Sequence, residues 1–302
     1  MSADDDRPLA RIVVPEGAHE RVDAFAAASL PTWLPSRNRA KKALKSGLLL
    51  LDDEEVETSR FVRPGQVLTL YADASLLPEP LLRDIEVVYE DEVMAVVVKP
   101  PGLLTNGSRY ATLERALPHN LTPSNAPDAM PAPAPVHRLD RSTTGLVVCA
   151  KAHAAQVFLG QAFQERRVDK RYRAIVAGRL EGSHEVCEPI DGRQAHSTIT
   201  AVEHTPSLHV GWLTTVELVP HTGRTHQLRR HCTHLGHPIL GERLYPGGQK
   251  ILKGAGLFLA AVALRVPHPD GQVLDLQIEE PAKHRTFRAR EARRHARHEQ
   301  TT

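Results

Sequence analysis

The sequence predicts an α+β protein in which a small α/β module precedes a larger domain built on a mixed, largely antiparallel sheet. The larger domain is indicated by six strand-like segments between residues 145 and 278, which only two helical segments interrupt. The length of 302 residues exceeds the usual size of one domain, so we expect two. The predicted order is an N-terminal segment (1–18), a small module (19–75), the main domain (76–284) and a basic tail (285–302).

The composition predicts a soluble protein with a substantial core and a locally basic surface. Hydrophobic residues make up 41% and charged residues 25%, and the net charge of +2 conceals basic clusters at 35–45 and 283–298. The three cysteines lie far apart without a CxxC pair, which fits a reducing compartment. The start is unlike a secretory signal, and no apolar run approaches about 20 residues, so we expect a cytoplasmic protein without a membrane span.

The small module is predicted to hold two short helices and two short strands. An apolar stripe indicates the first helix within 19–31, and Ser36 and Gly47 suit the start and end of the second. Strands follow at 48–51 and 66–71. The second helix carries five cations, namely Arg37, Arg39, Lys41, Lys42 and Lys45. They form either a solvated helix face or a phosphate-contacting surface, and charge alone leaves both open.

The main domain begins with a predicted β-hairpin at 85–102, which ends in the break "KPPG". The Pro- and Ala-rich stretch 117–135 lacks periodicity and is predicted to be a flexible surface loop. Helices are expected at 152–166 and 224–235. The remaining strands are predicted at 145–150, 170–178, 197–205, 209–219, 257–268 and 272–278.

Asp140 is the strongest candidate for chemistry. It lies between Arg138 and Arg141 in "HRLDRSTTG", and Gly145 permits a tight turn shortly after it. Neighbouring arginines favour the charged form of a carboxylate. Such a carboxylate is either a structural ion pair or the nucleophile of a covalent reaction, and this stretch alone leaves both open.

A second constellation lies in "HTGRTHQLRRHCTHLGHPILGERLY" (221–245), where a short amphipathic helix carries several cations. Arg224, His226 and Arg229 decorate this helix beside its apolar stripe. A guanidinium there could hold a phosphate or pair with a carboxylate in bidentate geometry.

Two further features have simpler structural explanations. His231, His234 and His237 repeat at three-residue spacing, but Gly236 ends the helix before the last of them. They also lack an HExxH-like carboxylate, so no metal site is predicted. Tyr172 alternates with arginines along a strand, which by itself indicates core packing.

Taken together, residues 85–280 resemble the RluA-type pseudouridine synthases, which isomerise uridine in ribosomal and transfer RNA. The small module resembles the RNA-binding fold of ribosomal small-subunit protein four. Two mild departures from the family pattern are Thr144, where serine is usual, and Glu242, where aspartate is usual. The motifs that carry the resemblance are "KPPG" (99–102), "HRLDRSTTGL" (137–146), "AK" (150–151), "KRYRAIVAG" (170–178), "GRTHQLRRH" (223–231) and "GHPILGERLY" (236–245).

The resemblance implies a catalytic role for Asp140, which would attack the ribose or the base of a flipped-out uridine. It implies that Tyr172 lies against the base and assists proton movement, and that Arg229 pairs with Asp140, with Arg224 as the second choice. It implies an RNA substrate and no cofactor, and we separately expect no metal and a monomer. The supporting or substrate-binding residues would be Lys99, Arg138, Arg141, Thr143, Thr144, Gly145, Arg224, His226 and Gln227.

Two other classes of protein are alternatives. A non-catalytic RNA-binding or ribosome-assembly factor could have the same fold, although the presence of Asp140, Tyr172 and Arg229 argues against it. A metal-dependent hydrolase could be built on the histidines at 231–237, and a stoichiometric metal in the purified protein would favour it.

Overall fold

The chain folds into two compact units, Met1–Glu79 and Pro80–Thr302. The computed structural model describes residues 8–31, 33–34, 36–71, 79–107, 109–245 and 254–300. The predicted domain boundary at 75–76, the first residues of the N-terminal segment and the last two of the basic tail lie outside these ranges. None of the helices in the described ranges is both long enough and apolar enough to cross a membrane.

The first unit is a three-stranded antiparallel sheet with two helices. Its strands lie in the order β1-β3-β2. Because β1 is formed by Pro8–Val13, residues before 19 already belong to the unit. Ser36 accepts a hydrogen bond from the Arg39 backbone at the start of α2, as expected of a helix cap. The elements are β1 (Pro8–Val13), α1 (Val22–Ser29), α2 (Arg37–Lys45), β2 (Leu49–Leu51) and β3 (Val67–Tyr71).

The second unit is built on one ten-stranded sheet in the order β4-β5-β7-β12-β8-β11-β10-β9, with β6 beside β7 and β13 beside β12. All pairings are antiparallel except that of β7 with β12, so the predicted α+β class is confirmed. The strands are β4 (Glu86–Glu90), β5 (Met94–Lys99), β6 (Ala129–Pro135), β7 (Thr144–Ala152), β8 (Asp169–Ala177), β9 (Ser183–Val186), β10 (Ser197–Ser207), β11 (Gly211–Pro220), β12 (Leu259–Pro267) and β13 (Val273–Gln277). The helices are α3 (Leu113–Asn120), α4 (His153–Gln164), α5 (Gln227–His234) and α6 (Ala282–Glu299).

The prediction of a flexible loop at 117–135 is wrong. The stretch contains the end of α3, whose cap Thr112 accepts from the Arg115 backbone, and all of β6. β6 tolerates its prolines because it pairs with β7 as a side branch of the sheet and does not lie within the continuous strand order. The alternating prolines concealed this strand because proline normally indicates a loop.

The predicted basic tail is part of a docked helix. α6 begins at Ala282, and both Phe287 and Glu291 are buried. The Ser207 hydroxyl on β10 donates to Glu291 over 2.8 Å. The segment from 285 to 299 is therefore integrated with the sheet through apolar and polar contacts.

Gly145 lets the chain enter β7 beside β12. Its φ of +118° is a conformation that side chains rarely adopt. A Cβ atom at this position would lie 2.1 Å from the carbonyl oxygen of Ala261. Only glycine allows this close parallel pairing, which fixes where the turn carrying Asp140 leaves the sheet.

Candidate active site

The segment that follows β5 forms hydrogen bonds with the turn that contains Asp140. The Thr105 hydroxyl donates to the Leu139 carbonyl over 3.0 Å and accepts from the Leu139 N–H over 3.1 Å, and both bonds are buried. The Gly102 N–H donates to the Arg141 carbonyl over 2.7 Å, and the Arg141 guanidinium donates back to the Gly102 carbonyl over 3.0 Å. These four bonds fix the backbone on both sides of Asp140.

Lys99 is the buried support of this turn. Its side chain is completely buried, and its ammonium donates to the carbonyls of Pro100 at 3.1 Å, Leu103 at 2.9 Å and Arg141 at 3.5 Å. Burial lowers the pKa of Lys99 to about 8, although the Asp140 charge opposes this effect. The "KPPG" motif thus does more than end a strand, because its lysine connects β5 to the Asp140 turn.

Asp140 pairs with cations that are distant in sequence. Its carboxylate lies 3.4 Å from the Arg229 guanidinium and 3.7 Å from Nε2 of His226, and the side chain is 22% exposed. Neither Arg138 nor Arg141 lies within ion-pair distance of it among the described residues. Neither sequence neighbour therefore forms an ion pair with Asp140, since the Arg141 guanidinium donates to the Gly102 carbonyl and Arg138 is exposed.

Arg229 is itself clamped by a second carboxylate. Glu242 accepts from Nε of Arg229 over 2.6 Å and from Nη2 over 2.7 Å, and both side chains are buried. Burial alone would raise the pKa of Glu242, but the hydrogen bonds from Arg229 and from the Leu244 backbone lower it. The guanidinium therefore lies between two carboxylates, one buried and one facing the cleft.

Glu242 is a site residue whose role the sequence interpretation misses. The motif comparison marks it only as a replacement for aspartate, although it is the single acid in "GHPILGERLY". One acid placed shortly after a predicted helix that carries several arginines was the available signal. A bidentate arginine–carboxylate contact is the strongest form of this pairing.

His226 connects the carboxylate to Tyr245. Its backbone is left-handed, with φ of +55°, and its Nδ1 lies 3.1 Å from the Tyr245 hydroxyl. Burial lowers the pKa of His226, while the Asp140 charge opposes this. A left-handed residue cannot continue a helix, which is why α5 begins at Gln227 and not at the predicted 224.

Gln227 closes the loop between β11 and α5. Its amide nitrogen donates to the carbonyl of His196 and the hydroxyl of Ser197, over 2.8 and 2.7 Å. Its amide oxygen accepts from the Thr222 hydroxyl and the Arg224 backbone, over 2.6 and 3.0 Å. The side chain of Gln227 is buried, so its contribution is to fix the backbone that presents His226 and Arg229.

The second-choice partner of Asp140, Arg224, makes a different contact. Its guanidinium donates to the carbonyl of Gln194 over 2.9 Å. Arg224 therefore lines the cleft without joining the Asp140 ion pair.

Asp140, His226 and Arg229 line one cleft of about 740 Å³. Tyr172 on β8 lines it together with Asp140, Arg138 and Thr143. Burial, together with the charge of Asp140, raises the pKa of Tyr172 well above its ordinary value, so its phenol is neutral near pH 7. Thr144 is turned away, and its hydroxyl donates to the Lys99 carbonyl over 2.8 Å. The cleft can thus take a flat group beside an aromatic ring and a charged carboxylate.

The histidines at 231–237 do not converge on one point. Nε2 of His231 lies 3.0 Å from the Glu188 carbonyl, and Nδ1 of His237 lies 2.9 Å from the Ala177 carbonyl. His234 is exposed. The three side chains make separate contacts, as expected of structural or surface histidines.

In the first unit, two of the five predicted RNA-binding cations contact the buried Asp23. Arg37 lies 3.3 Å and Lys41 3.7 Å from its carboxylate, yet 54% and 40% of their side chains stay exposed. Burial alone would raise the pKa of Asp23, but its bonds to these cations lower it. Lys42 and Lys45 are exposed and Arg39 is partly exposed. The helix face therefore combines a structural ion pair with accessible positive charge.

The mixed sheet presents a carboxylate, an arginine and a tyrosine in one cleft, as an enzyme site could, and similarity to known proteins identifies the class of enzyme. Residues 93–234 match the family described as RNA pseudouridylate synthase. An uncharacterized RNA pseudouridine synthase of Aquifex aeolicus is 33% identical, covering 88% of this chain and 92% of its own length. The chain belongs to this family and is an RNA pseudouridine synthase.

Two further relatives agree. Ribosomal large subunit pseudouridine synthase D of Xylella fastidiosa is 34% identical over 82% of this chain and 78% of its own length. The solved structure of human RNA pseudouridylate synthase domain containing 1 superposes with a TM-score of 0.55 at 26% identity, covering 68% of this chain and 87% of that one. The enzyme class implied by the sequence resemblance is confirmed, and the non-catalytic and hydrolase alternatives are not favoured.

Proposed function

We propose that Asp140 is the catalytic carboxylate of uridine isomerisation and that the substrate is RNA of the large ribosomal subunit. The observation that carries the first statement is the 3.4 Å pair between Arg229 and a partly exposed Asp140 in the cleft. The second rests on relatives such as the 34% identical enzyme that is named for the large ribosomal subunit.

Access to the base requires that the nucleotide leaves its helix or stack. Flipping a nucleotide out costs a few kcal/mol, and stacking on an aromatic side chain returns about 1–3 kcal/mol per base. Tyr172 offers a neutral ring beside Asp140 in a cleft of about 740 Å³. In this proposal Tyr172 lies against the flipped uracil and Arg138, which is exposed at the cleft, contacts the RNA strand.

The proposed reaction breaks one bond to the base and makes another. Asp140 attacks the ribose or the base, the uracil detaches from its N1 linkage, rotates and bonds again through carbon five. The carboxylate is then released, carbon five loses a proton and N1 gains one, so composition and oxidation state are unchanged. Arg229 pairs with the Asp140 carboxylate before the attack, and Glu242 orients Arg229.

The first unit is proposed as an RNA-binding module like that of ribosomal small-subunit protein four. Its support is the exposed charge of α2, since Lys42 and Lys45 are free of the Asp23 ion pair. Contacts of lysine with phosphate add affinity without sequence preference and weaken with salt. We infer that the enzyme acts in the cytoplasm as a monomer.

The test of the catalytic assignment is Asp140→Asn, which keeps the shape of the side chain and removes its charge. Tritium release from RNA labelled at carbon five of uracil is expected to cease, while RNA affinity stays close to that of the wild type. Asp84→Asn, at an exposed carboxylate outside the cleft, is the matched control. Tritium release by Asp140→Asn at the control rate would refute the assignment.

A separate experiment, the mapping of pseudouridines, identifies the RNA substrate. Pseudouridines compared across total RNA, from cells with and without this chain, should differ at sites in the large ribosomal RNA. A difference confined to transfer RNA would contradict the proposed substrate but not the role of Asp140.

A further inference from the structure

A cluster of three metal-ligating side chains lies at the ends of β9, β10 and β11. Glu185 is on β9, His196 immediately precedes β10, and His221 immediately follows β11. The carboxylate and imidazole atoms that could bind an ion all lie within 4.8 Å of one another. None of the three is in contact with Asp140, Arg229 or Glu242 through any ion pair among the described residues.

The sheet register brings these side chains to one face. Glu185 pairs with Thr198 across β9 and β10, and Thr198 pairs with Val219 across β10 and β11. Side chains two residues apart on a strand point to the same face, so His196 lies on the face of Thr198, and His221 on the face of Val219. The His221 N–H also donates to the His196 carbonyl over 3.0 Å. The backbone under the cluster is therefore part of the hydrogen-bonded sheet.

Hydrogen bonds order the side chains. Nε2 of His196 contacts Glu185, and the Thr198 hydroxyl donates to the other Glu185 oxygen over 2.7 Å. The same hydroxyl oxygen lies 2.7 Å from Nε2 of His221. Because a hydroxyl has one hydrogen, His221 must be the donor in that contact. Two imidazoles and one hydroxyl thus lie around one carboxylate.

The ligand types of the cluster suit a cation. Glu185 supplies carboxylate oxygens, and His196 and His221 supply imidazole nitrogens, which are groups that divalent transition metals bind. The rings of His196 and His221 stack with centroids 4.2 Å apart and an interplanar angle of 28°. With the rings this close, one ion beside the stack can bind one nitrogen of each ring.

We propose that Glu185, His196 and His221 form a binding site for a divalent transition metal of the Zn²⁺ type. Two imidazoles and one carboxylate are a ligand set that zinc sites use when a fourth position stays open to water. Tetrahedral metal–ligand bonds of about 2.0–2.2 Å place the ligand atoms about 3.4 Å apart. The three ligand atoms now lie within 4.8 Å of one another, so small rotations of the side chains would bring them to that separation. Each imidazole then carries its hydrogen on Nδ1, and the Thr198 hydroxyl keeps its bond to Glu185 as an outer contact.

This site is distinct from the histidines at 231–237, since those side chains make separate contacts. Of its three ligands, His221 also lines the catalytic cleft, and the ion would link the ends of three strands. Such a link stabilises the native sheet, since the unfolded chain does not hold the three ligands together.

The test uses the full-length chain without an affinity tag, stripped with a chelator and titrated with Co²⁺. We expect one equivalent to bind, with a visible ligand-field band and without the near-ultraviolet band of a thiolate. The second feature matters because Cys187 is exposed and follows Glu185 by two residues. Zn²⁺ should displace the Co²⁺ signal, and added Zn²⁺ should raise the unfolding temperature of the second unit.

Three variants locate the site. His196→Gln should weaken metal binding by more than about 100-fold, since even outer contacts of a metal site are worth about 10- to 100-fold. Thr198→Val should weaken it by about 10-fold. His234→Gln removes an exposed histidine of the other series and should leave binding unchanged. Circular dichroism of each variant separates loss of a ligand from loss of the fold.

The proposal is overturned if the stripped chain gives no saturable Co²⁺ band. It is equally overturned if His196→Gln folds and binds Co²⁺ as the wild type does, or if only His234→Gln weakens binding. Because these titrations contain no RNA, their failure is independent of the proposed isomerisation.

Discussion

The pairing of Arg229 with Glu242 predicts a large effect of removing one charge. In Glu242→Gln the side chain keeps one carbonyl oxygen, so one of the two bonds of 2.6 and 2.7 Å survives and the other is lost. A charge-assisted hydrogen bond contributes about 1.5–3 kcal/mol to stability. Breaking a buried ion pair costs about 3–5 kcal/mol, but Asp140 remains as a second anion beside Arg229. We therefore expect the second unit to lose about 2 kcal/mol.

This loss corresponds to a fall of about 4–8 °C in the unfolding temperature of a unit of this size. Because Arg229 would then be held mainly by Asp140, the Asp140 carboxylate should be less well placed for attack. We expect kcat to fall by about 10- to 100-fold, which equals about 1.4–2.7 kcal/mol in the barrier, with little change in KM.

The assays are thermal unfolding followed by circular dichroism and single-turnover tritium release. Glu242→Asp is the matched control, since it restores the charge and is the residue usual in the family. Acid provides a second control. The lowered pKa of Glu242 means that its stabilisation is present above its unfolded pKa, about 4.3, and disappears as the pH falls through the lower native value. The stability difference between wild type and Glu242→Gln should shrink accordingly below about pH 4. Equal stability and equal kcat at pH 7 would refute the reasoning.

Three further predictions follow from the same structure. Tyr172→Phe should keep most RNA affinity and Tyr172→Ala should lose about 1–3 kcal/mol of it, as measured by filter binding; equal affinities would exclude stacking. Because the pKa of Lys99 is lowered to about 8, the unfolded chain binds more protons above that pH, so stability to urea should rise between pH 8 and about pH 10. Lys99→Met should lack this rise. Replacing Lys42 and Lys45 with glutamine should lower RNA affinity. The slope of the logarithm of the binding constant against the logarithm of the salt concentration should become shallower by about 0.7 for each phosphate that a lysine no longer neutralises. An unchanged slope would exclude α2 from the RNA surface.

Much of the fold follows from local sequence signals. The strands β7, β8, β10, β11 and β12 lie where apolar alternation and β-branched residues indicated them. Ser36 caps α2 as predicted, and Gly47 adopts a positive φ after it. These signals succeed because each depends on a few neighbouring residues.

Two of the failures have a common physical origin in contacts between distant segments, whereas β6 was missed because its prolines indicated a loop. Asp140 and Arg229 are 89 positions apart, and residue chemistry alone pointed instead to the adjacent Arg138 and Arg141. Only the family resemblance indicated the distant partner. The start of α5 was missed because the hydrogen bonds of Gln227 to β10 and its flanking loop hold His226 in a left-handed conformation. No local pattern records such a tertiary constraint.

The clamp of Glu242 on Arg229 has a consequence for the whole turnover cycle. When a carboxylate forms a covalent bond, its negative charge disappears, and a buried guanidinium that depended on it would be left without a counter-ion. Glu242 accepts two bonds from Arg229 that do not involve Asp140, so the cation would keep a counter-ion if Asp140 became esterified as proposed. On the proposed mechanism, forming the covalent intermediate would therefore not leave a buried guanidinium unpaired, which is a costly state.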